Sequence, residues 1–173
     1  DNSDKAFKTY LELTEETTKR QKFYAHTRRY HELQWETFPH TANKDELTSH
    51  LLVADYEGKM LTTMLFFVFK DTLYYPYGAS SSEHRNTMHS VLTMWEGIKF
   101  GKKLGLKKFD MWGSLSENPD PKDSWYGFHR FKQGYGPDLI EFLGSYDLVI
   151  NPLLYQGYKI ADKLRWLYLK LRK

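Results

Sequence analysis

The sequence predicts a mixed α/β domain, because segments with helical periodicity alternate along the chain with short runs of β-forming residues. Its 173 residues fit one domain of ordinary size and are enough to bury a core. Hydrophobic residues make up 40% of the chain and aromatic residues 17%, which is not the composition of a disordered chain. No internal repeat or linker-like segment interrupts the pattern, so we expect residues 1–173 to form a single domain.

The first half of the chain predicts two helices and three strands. Apolar residues recur at helical spacing from Phe7 onward, and Ser3 is a candidate N-cap before them. Glu57-Gly58-Lys59 separates two strand-like runs and indicates a hairpin, while Pro76 marks an edge, a bulge or a break in pairing. In order, the predicted elements are helices at 4–21 and 28–38 and strands at 50–56, 59–70 and 73–80.

The second half predicts a long helix, then shorter elements and a terminal helix. Met88, Val91 and Trp95 follow the 3.6-residue period, and Gly105 suits the end of that helix. In order, the predicted elements are a helix at 87–105, a strand at 107–113, a short helix within 124–136, a strand at 139–150 and a helix at 151–173.

Several classes of site are excluded or disfavoured by the sequence. The chain has no cysteine, which excludes disulfides and thiolate metal sites and fits a reducing compartment. The seven histidines form no HxxxH pair, so no metal site is expected. No GxSxG, P-loop or GxGxxG motif occurs. We find no apolar run long enough to span a bilayer and no signal peptide.

The net charge of +3 is unevenly distributed along the chain. Residues 1–86 hold 11 Lys and Arg against 13 Asp and Glu, whereas residues 87–173 hold 14 against 9, so the second half steers anionic partners. The terminal helix is basic and amphipathic, and either it contacts tRNA or anionic lipid or its charges form a solvated face. Its basic residues are Lys159, Lys163, Arg165, Lys170, Arg172 and Lys173.

The order of the predicted elements resembles acyltransferases of the GNAT type. This resemblance implies a single GNAT-like domain with a mixed, mostly antiparallel central sheet flanked by helices. Such domains usually bind the pyrophosphate of acyl-CoA through an Arg/Gln-x-x-Gly-x-Gly/Ala loop at the start of the central helix. The corresponding segment here, SSEHRNTMHSV, has no such glycines, so acyl-CoA is not the expected donor.

Six segments in the right order resemble the second half of FemABX-type aminoacyltransferases. These enzymes have two GNAT-like domains in tandem and transfer amino acids from aminoacyl-tRNA to the stem peptide of a peptidoglycan precursor. The similarity spans nearly the whole chain, and each segment alone is a modest signal. The segments are KRQKFYAH with RRY, LLVADYEGKMLTTML, LYYPYGASSSEHRN, VLTMWEGIKFGKKLGLKKFDMWG, FHRFKQGYG and EFLGSYDLVINP.

The resemblance places the family's Phe-Lys pair on Phe131 and Lys132, and it implies that Lys132 stabilises charge in acyl transfer. An amine that attacks an aminoacyl ester creates an oxyanion, and a fixed donor at that oxygen is worth about 3–4 kcal/mol. Arg130 and Phe131 are expected to bind substrate beside it. From the residues alone, Trp125, Phe128 and Phe131 also fit a core stripe beside a solvated Lys132.

Further substrate-binding residues follow from the same resemblance. Tyr75 and Tyr77 match a Tyr-x-Tyr at a strand end that faces the acceptor, and alternation puts both on one sheet face unless Pro76 breaks the pleat. His26 stands where the family often has an arginine for the diphosphate. We expect Arg28 to substitute, because a guanidinium grips phosphate with two parallel bonds.

Asp110 matches the strand-end aspartate of the family and is a candidate for orienting a substrate amine. A strand-end aspartate also fits a cap or a turn, and charged residues around His26 and Arg28 also fit an ordinary surface.

The resemblance therefore implies a cytoplasmic aminoacyltransferase, peripheral to the membrane, without metal or small cofactor. Its donor would be aminoacyl-tRNA and its acceptor lipid II or UDP-MurNAc-pentapeptide. A first domain, absent from this chain, would supply much of the acceptor pocket, so the chain alone is expected to be weakly active or inactive. Three alternatives stay open, namely an aminoacyl-tRNA–protein transferase, an atypical GNAT N-acetyltransferase and a non-catalytic module that binds anionic glycolipid or RNA.

Overall fold

A four-stranded mixed sheet organises the first part of the chain. In the computed structural model, which describes residues 1–41 and 43–171, the sheet contains β1 (Thr48–Tyr56), β2 (Lys59–Phe69), β3 (Thr72–Ser80) and β4 (Lys108–Asp110). β1, β2 and β3 are antiparallel neighbours, and β4 runs parallel to β3. The expected mixed, mostly antiparallel sheet is therefore confirmed.

The β1–β2 hairpin closes on Glu57 and Gly58. Both residues adopt positive φ, 53° and 81°, which is the two-residue hairpin turn that matches the twist of the strands. The side chain of Asp55 supports the turn, because its Oδ1 accepts a hydrogen bond from Gly58 N at 2.9 Å. The hairpin predicted from Glu57-Gly58-Lys59 is confirmed.

Two helices cover one face of the sheet, α1 (Asp4–Gln21) and α2 (Arg28–Thr37). Ser3 caps α1 as predicted, since its Oγ accepts a hydrogen bond from Ala6 N at 3.2 Å. Full burial of each large apolar side chain here contributes about 1.5–3 kcal/mol. The core on this face comprises Ala6, Phe7, Tyr10, Leu11, Trp35, Leu51, Leu65 and Phe67.

The long helix α3 (His89–Lys103) follows a short 3₁₀ helix (Arg85–Thr87) and covers the other face. Gly97 lets the helix approach the sheet closely, because a Cβ there would lie 2.5 Å from Cζ of Phe66. The second core, under α3, comprises Met64, Phe66, Val68, Leu73, Tyr75, Met94 and Met111. The two cores thus lie on opposite faces of β2, whose residues alternate between them.

A bulge interrupts the pairing of β3 with β2. Leu65 pairs with Tyr77, whereas Phe67 pairs with Tyr74, so β3 carries one extra residue between these pairs. Pro76, which has no N–H to donate, lies in that interval. The alternation of β3 shifts by one residue there, and Tyr75 and Tyr77 consequently face opposite sides of the sheet.

The chain divides into two compact units, Asp1–Asp138 and Leu139–Lys173. The first unit ends with a short helix, α4 (Tyr126–Gln133), within the segment where a helix was predicted. The second unit contains α5 (Pro152–Leu171), also as predicted. Arg172, Lys173 and the side chain of Lys170, which the sequence assigned to the basic face of this helix, lie outside the described residues.

The strand predicted at 139–150 is wrong, because these residues form no strand in the structure. The apolar residues at alternate positions, such as Ile140, Phe142 and Leu148, follow the strand period and are exposed. That period shows which side chains would share a face, whereas a strand also requires a partner for its N–H and C=O groups. The sequence pattern carries no information about the partner.

None of the helices in the described ranges combines the length and the apolar content that crossing a bilayer requires.

Candidate active site

Helix α4 presents two buried polar side chains to the loop that follows β4. His129 and Lys132 are three residues apart, so they lie on the same face of the helix. Each is only 7% exposed, although α4 is short and otherwise mostly accessible. The predicted short helix from the segment SWYGFHRFKQGYG therefore does carry both aromatic anchors and buried polar groups.

Lys132 is held by one main-chain carbonyl group. Its Nζ donates a hydrogen bond to Gly113 O at 2.5 Å. Burial lowers the pKa of Lys132 below its ordinary value, and the charge of Asp110 opposes that shift. A partly desolvated ammonium in a fixed position is what stabilisation of an oxyanion requires. The interpretation of Lys132 as a solvated surface residue does not match this geometry.

The β4 loop makes a sharp turn before it reaches Lys132. Asp110 ends β4, and its Oδ1 accepts a hydrogen bond from Trp112 N at 2.7 Å. Trp112 has a φ of 65°, an uncommon and strained conformation for an aromatic residue. The next residue, Gly113, then directs its carbonyl group to Lys132. Asp110 thus supports the turn and the charge balance of Lys132, while its contact with a substrate amine stays a prediction.

His129 is the site residue that the sequence analysis missed. Its Nδ1 forms a hydrogen bond of 2.9 Å with Oγ of Ser114, the residue after Gly113. His129 also borders a cavity of about 340 Å³, whose other walls include Glu117, Tyr126 and Gln133. Its spacing from Lys132 was the available signal, because residues three apart on a helix share a face.

Arg130 lies between two cavities, and Phe131 borders one of them. Arg130 is exposed and borders both the cavity beside His129 and a second cavity of about 350 Å³. Phe131 borders the second cavity with Tyr135, and their ring centroids are 5.6 Å apart. Both rings also pack against the core under α3, which anchors α4 in place. Arg130 is therefore accessible to a substrate on either side.

Tyr75 is buried on the α3 side of the sheet. Its ring packs against Phe66 at 5.4 Å between centroids, and burial raises the pKa of its hydroxyl well above the ordinary value. The hydroxyl lies over Gly78, where a Cβ would meet it. Only 9% of Tyr75 is exposed, so a substrate reaches it only after rearrangement.

Tyr77 belongs to an aromatic group on the opposite face. Its hydroxyl donates a hydrogen bond of 3.4 Å to the Tyr30 hydroxyl, and its ring meets His31 edge-on at 4.9 Å. His26 stacks on Tyr30 at 4.0 Å and is exposed. Arg28, nearby in the chain, forms ion pairs with Glu15 at 3.4 Å and with Glu32 at 3.2 Å.

These ion pairs bear on the expected phosphate contact at Arg28. A guanidinium that already meets two carboxylates must give up those contacts before it grips a diphosphate. The side chain is 48% exposed, so each exposed pair is worth only about 0–1 kcal/mol and can be exchanged. The role of Arg28 in phosphate binding stays a prediction.

Residues 41–163 match the model of the FemAB family. The chain belongs to the FemAB family. Lipid II:glycine glycyltransferase of Staphylococcus haemolyticus (strain JCSC1435) is 35% identical over 113 residues, which is 65% of this chain and 26% of that protein. The protein of the same name from Staphylococcus saprophyticus is 34% identical over 118 residues, 68% of this chain and 28% of that protein. The chain spans about a quarter to a third of the curated relatives it matches.

Solved acetyltransferases share the fold of this FemAB-family chain. An aminoglycoside 6'-N-acetyltransferase from Acinetobacter haemolyticus matches with a TM-score of 0.54 and 13% identity, covering 86% of this chain and 96% of that one. A probable acetyltransferase matches with a TM-score of 0.55 and 11% identity, covering 86% and 95%. At such low identity the similarity shows the fold alone, and the expected GNAT-like fold is confirmed.

The structure separates the predicted site residues of the FemAB chain into two groups. The first group surrounds the β4 loop and α4, with Tyr75 buried on the same side of the sheet, and the second lies on the α1–α2 side. The first group comprises Asp110, Arg130, Phe131 and Lys132, and the second comprises His26, Arg28 and Tyr77. The first group alone contains a buried cation at a carbonyl oxygen, so it is the candidate acyl-transfer site.

Proposed function

We propose that this chain provides the acyl-transfer site of an aminoacyltransferase that acts in peptidoglycan cross-bridge synthesis. The donor is an aminoacyl-tRNA, and the acceptor is the stem-peptide amine of lipid II or of UDP-MurNAc-pentapeptide. Membership of the FemAB family supports the reaction class, and the names of the glycyltransferase relatives support lipid II as the acceptor. The basic excess in residues 87–173 supports an anionic donor.

The chemistry is aminolysis of an ester. The amine nitrogen attacks the carbonyl carbon of the aminoacyl ester, and the carbonyl oxygen becomes an oxyanion in the tetrahedral intermediate. The C–N bond forms, the C–O bond to the tRNA ribose breaks, and the ribose leaves as a free hydroxyl group. The step that needs the most help from the protein is the development of charge on the carbonyl oxygen.

The buried Lys132 carries this proposal. An ammonium group has three N–H donors, and Gly113 O occupies one of them in the structure. The remaining donors suit the oxyanion, and the same loop carbonyl keeps the ammonium in place while charge develops. The turn at Trp112 holds Gly113, and the packing of Phe131 holds the helix turn that carries Lys132, so both partners of this hydrogen bond are fixed. Preorganisation of this kind is expected to contribute 10²–10³-fold to kcat.

The relatives are three to four times longer than the matched part of this chain. In the full-length protein, the part outside this chain is proposed to supply much of the acceptor pocket.

Helix α5 is proposed to contact the anionic membrane surface in which lipid II resides. Leu153, Leu164 and Tyr168 share one exposed side of this helix, while Lys159 and Lys163 lie on another. Co-sedimentation with anionic vesicles that is reduced by Leu164→Glu tests this contact.

The decisive experiment measures transfer of a radiolabelled amino acid from a mixed aminoacyl-tRNA pool to lipid II and to UDP-MurNAc-pentapeptide. It uses the full-length protein and compares wild type with Lys132→Met, which keeps the apolar stem and removes the charge. Lys103→Met, a change at an exposed lysine of α3, is the matched control.

We expect wild type and Lys103→Met to label the acceptor equally, while Lys132→Met loses 10²-fold or more in kcat. Equal transfer by all three proteins would support the proposed reaction and contradict the proposed role of Lys132. Failure of wild type to label either acceptor would contradict the proposed function. Labelling of a protein N-terminus or use of acetyl-CoA would then favour a protein transferase or an atypical acetyltransferase.

A further inference from the structure

We propose that His129 is the general base of the transfer reaction and that Ser114 is the positioning residue that orients its ring. This inference rests on the proposed function, since it assigns a residue to the proton transfer of that reaction. The inference gives the site a proton acceptor beside Lys132. Lys132 stabilises negative charge and cannot accept a proton while it is an ammonium.

The reaction requires a proton acceptor because an alkyl amine with a pKa near 10.4 is mostly an ammonium at neutral pH. Starting from that ammonium, one proton is released to solvent to give the neutral amine. The amine nitrogen then loses a second proton when the C–N bond forms, and the ribose oxygen gains one when the C–O bond breaks. A base that takes the proton from nitrogen and returns it to the ribose oxygen balances the step.

The contacts of His129 leave one ring nitrogen for this task. Nδ1 is paired with Ser114 Oγ at 2.9 Å, whereas Nε2 has no hydrogen-bond partner among the described residues. His129 is 7% exposed and forms part of the wall of the 340 Å³ cavity. The Ser114 hydroxyl accepts from Nδ1–H in one tautomer and donates to Nδ1 in the other. In the first tautomer Nε2 carries the lone pair that takes the proton, and the contact with Ser114 holds the ring in position.

The charged groups around the imidazole leave His129 as the suitable base. Lys132 lies on the same helix face, and Arg130 and Glu117 border the same cavity. Arg130 and Lys132 offer only donors in their charged forms. Glu117 is exposed, and Asp110 on β4 is engaged with Trp112 N.

The test measures kcat and KM of the full-length protein from pH 5.5 to 9 with the aminoacyl-tRNA and the acceptor that the wild type uses in the transfer assay above. The variants are His129→Gln, His129→Ala and Ser114→Ala, and the control is His84→Asn, at an exposed histidine with a φ of 48° that asparagine tolerates. His129→Ala is also assayed with added imidazole, because the adjoining cavity gives a small base room to enter. Circular dichroism and thermal unfolding identify any variant that fails to fold.

We expect His129→Gln to lower kcat by 10²-fold or more with KM nearly unchanged, and to abolish the acidic inflection of the pH profile. Added imidazole is expected to restore His129→Ala at least tenfold, and Ser114→Ala is expected to retain the inflection with a lower kcat. A folded His129→Gln that keeps the inflection, or His129→Ala that imidazole does not rescue, overturns the proposal. Absence of transfer by wild type overturns the proposed function and this inference with it, whereas equal transfer by wild type and both His129 variants overturns this inference alone.

Discussion

His129 and Lys132, on one face of α4, form hydrogen bonds with two consecutive residues of the loop that follows β4. The imidazole of His129 pairs with Ser114 Oγ at 2.9 Å, and the ammonium of Lys132 donates to Gly113 O at 2.5 Å. Because both side chains are buried, the register of α4 against the β4 loop is defined at two adjacent points. The geometry of the candidate active site therefore depends on how this helix and this loop are held together.

Lys132→Met is expected to separate activity from stability. The substitution removes the cost of desolvating an ammonium, yet it leaves Gly113 O without its donor, which costs about 1–3 kcal/mol. Replacement of a buried charge by an apolar group of similar size is often neutral or stabilising. We therefore expect the free energy of unfolding to change by no more than about 1.5 kcal/mol in urea titrations, while transfer falls. A loss of several kcal/mol would show that Lys132 acts mainly as a structural lock.

Gly97→Ala is expected to destabilise the protein by about 1–3 kcal/mol. The new methyl group would lie 2.5 Å from Phe66 Cζ, so α3 or the ring must move within a packed core. Gly127→Ala in α4 is the matched control, because nothing lies within 4 Å of its Cβ position and alanine is the better helix former. Thermal unfolding of the two variants measures the difference. Equal melting temperatures would contradict the close packing of α3 on β2.

Arg130→Ala is expected to weaken tRNA binding more than Arg28→Ala does. Arg130 is exposed between two cavities beside Lys132, whereas Arg28 already meets Glu15 and Glu32. Loss of a phosphate contact lowers affinity and reduces the slope of log K against log salt by about one. Filter binding of glycyl-tRNA at several salt concentrations checks both quantities. If only Arg28→Ala changes the slope, the anionic donor binds on the α1–α2 side instead.

Local chemistry allowed much of the fold to be predicted from the sequence. Glu57-Gly58 predicts its hairpin because two consecutive residues there must adopt positive φ, and few sequences do so readily. The periodicity of α3 and α5 predicts helices because it depends only on residues within the same element. Lys132 was predicted from a family motif. Its burial between α4 and the β4 loop gives a physical reason why its ammonium could stabilise an oxyanion.

The features that sequence reasoning missed depend on distant partners. Tyr75 and Tyr77 separate because β3 gains one residue relative to β2, and that register is a property of the pair of strands. Pro76 indicated where a break would occur without fixing its outcome. The spacing of His129 from Lys132 was readable in the sequence, but its contact with Ser114, fifteen residues earlier and across a loop, is encoded by no local pattern.

Acidification from pH 7 to pH 5 is expected to destabilise the fold through its buried histidines. Burial lowers the pKa of His31 to about 4 and that of His50 to about 4, with smaller effects from His26 and His40. Unfolded histidine titrates near 6.5, so between pH 6.5 and 4 the unfolded chain binds more protons than the folded one. Stability is therefore complete above pH 6.5 and falls as the pH drops through this window, by about 1–2 kcal/mol per histidine at pH 5.

Urea unfolding at pH 7.5, 6.5, 5.5 and 5.0 measures this dependence. His31→Gln and His50→Gln are each expected to flatten the slope of the unfolding free energy against pH, even though each also lowers stability at pH 7.5 by disturbing a buried contact. His84→Asn controls for removing an exposed histidine. A slope that neither buried-histidine variant alters would mean that these imidazoles take up protons in the folded state as readily as in the unfolded chain, which their burial opposes.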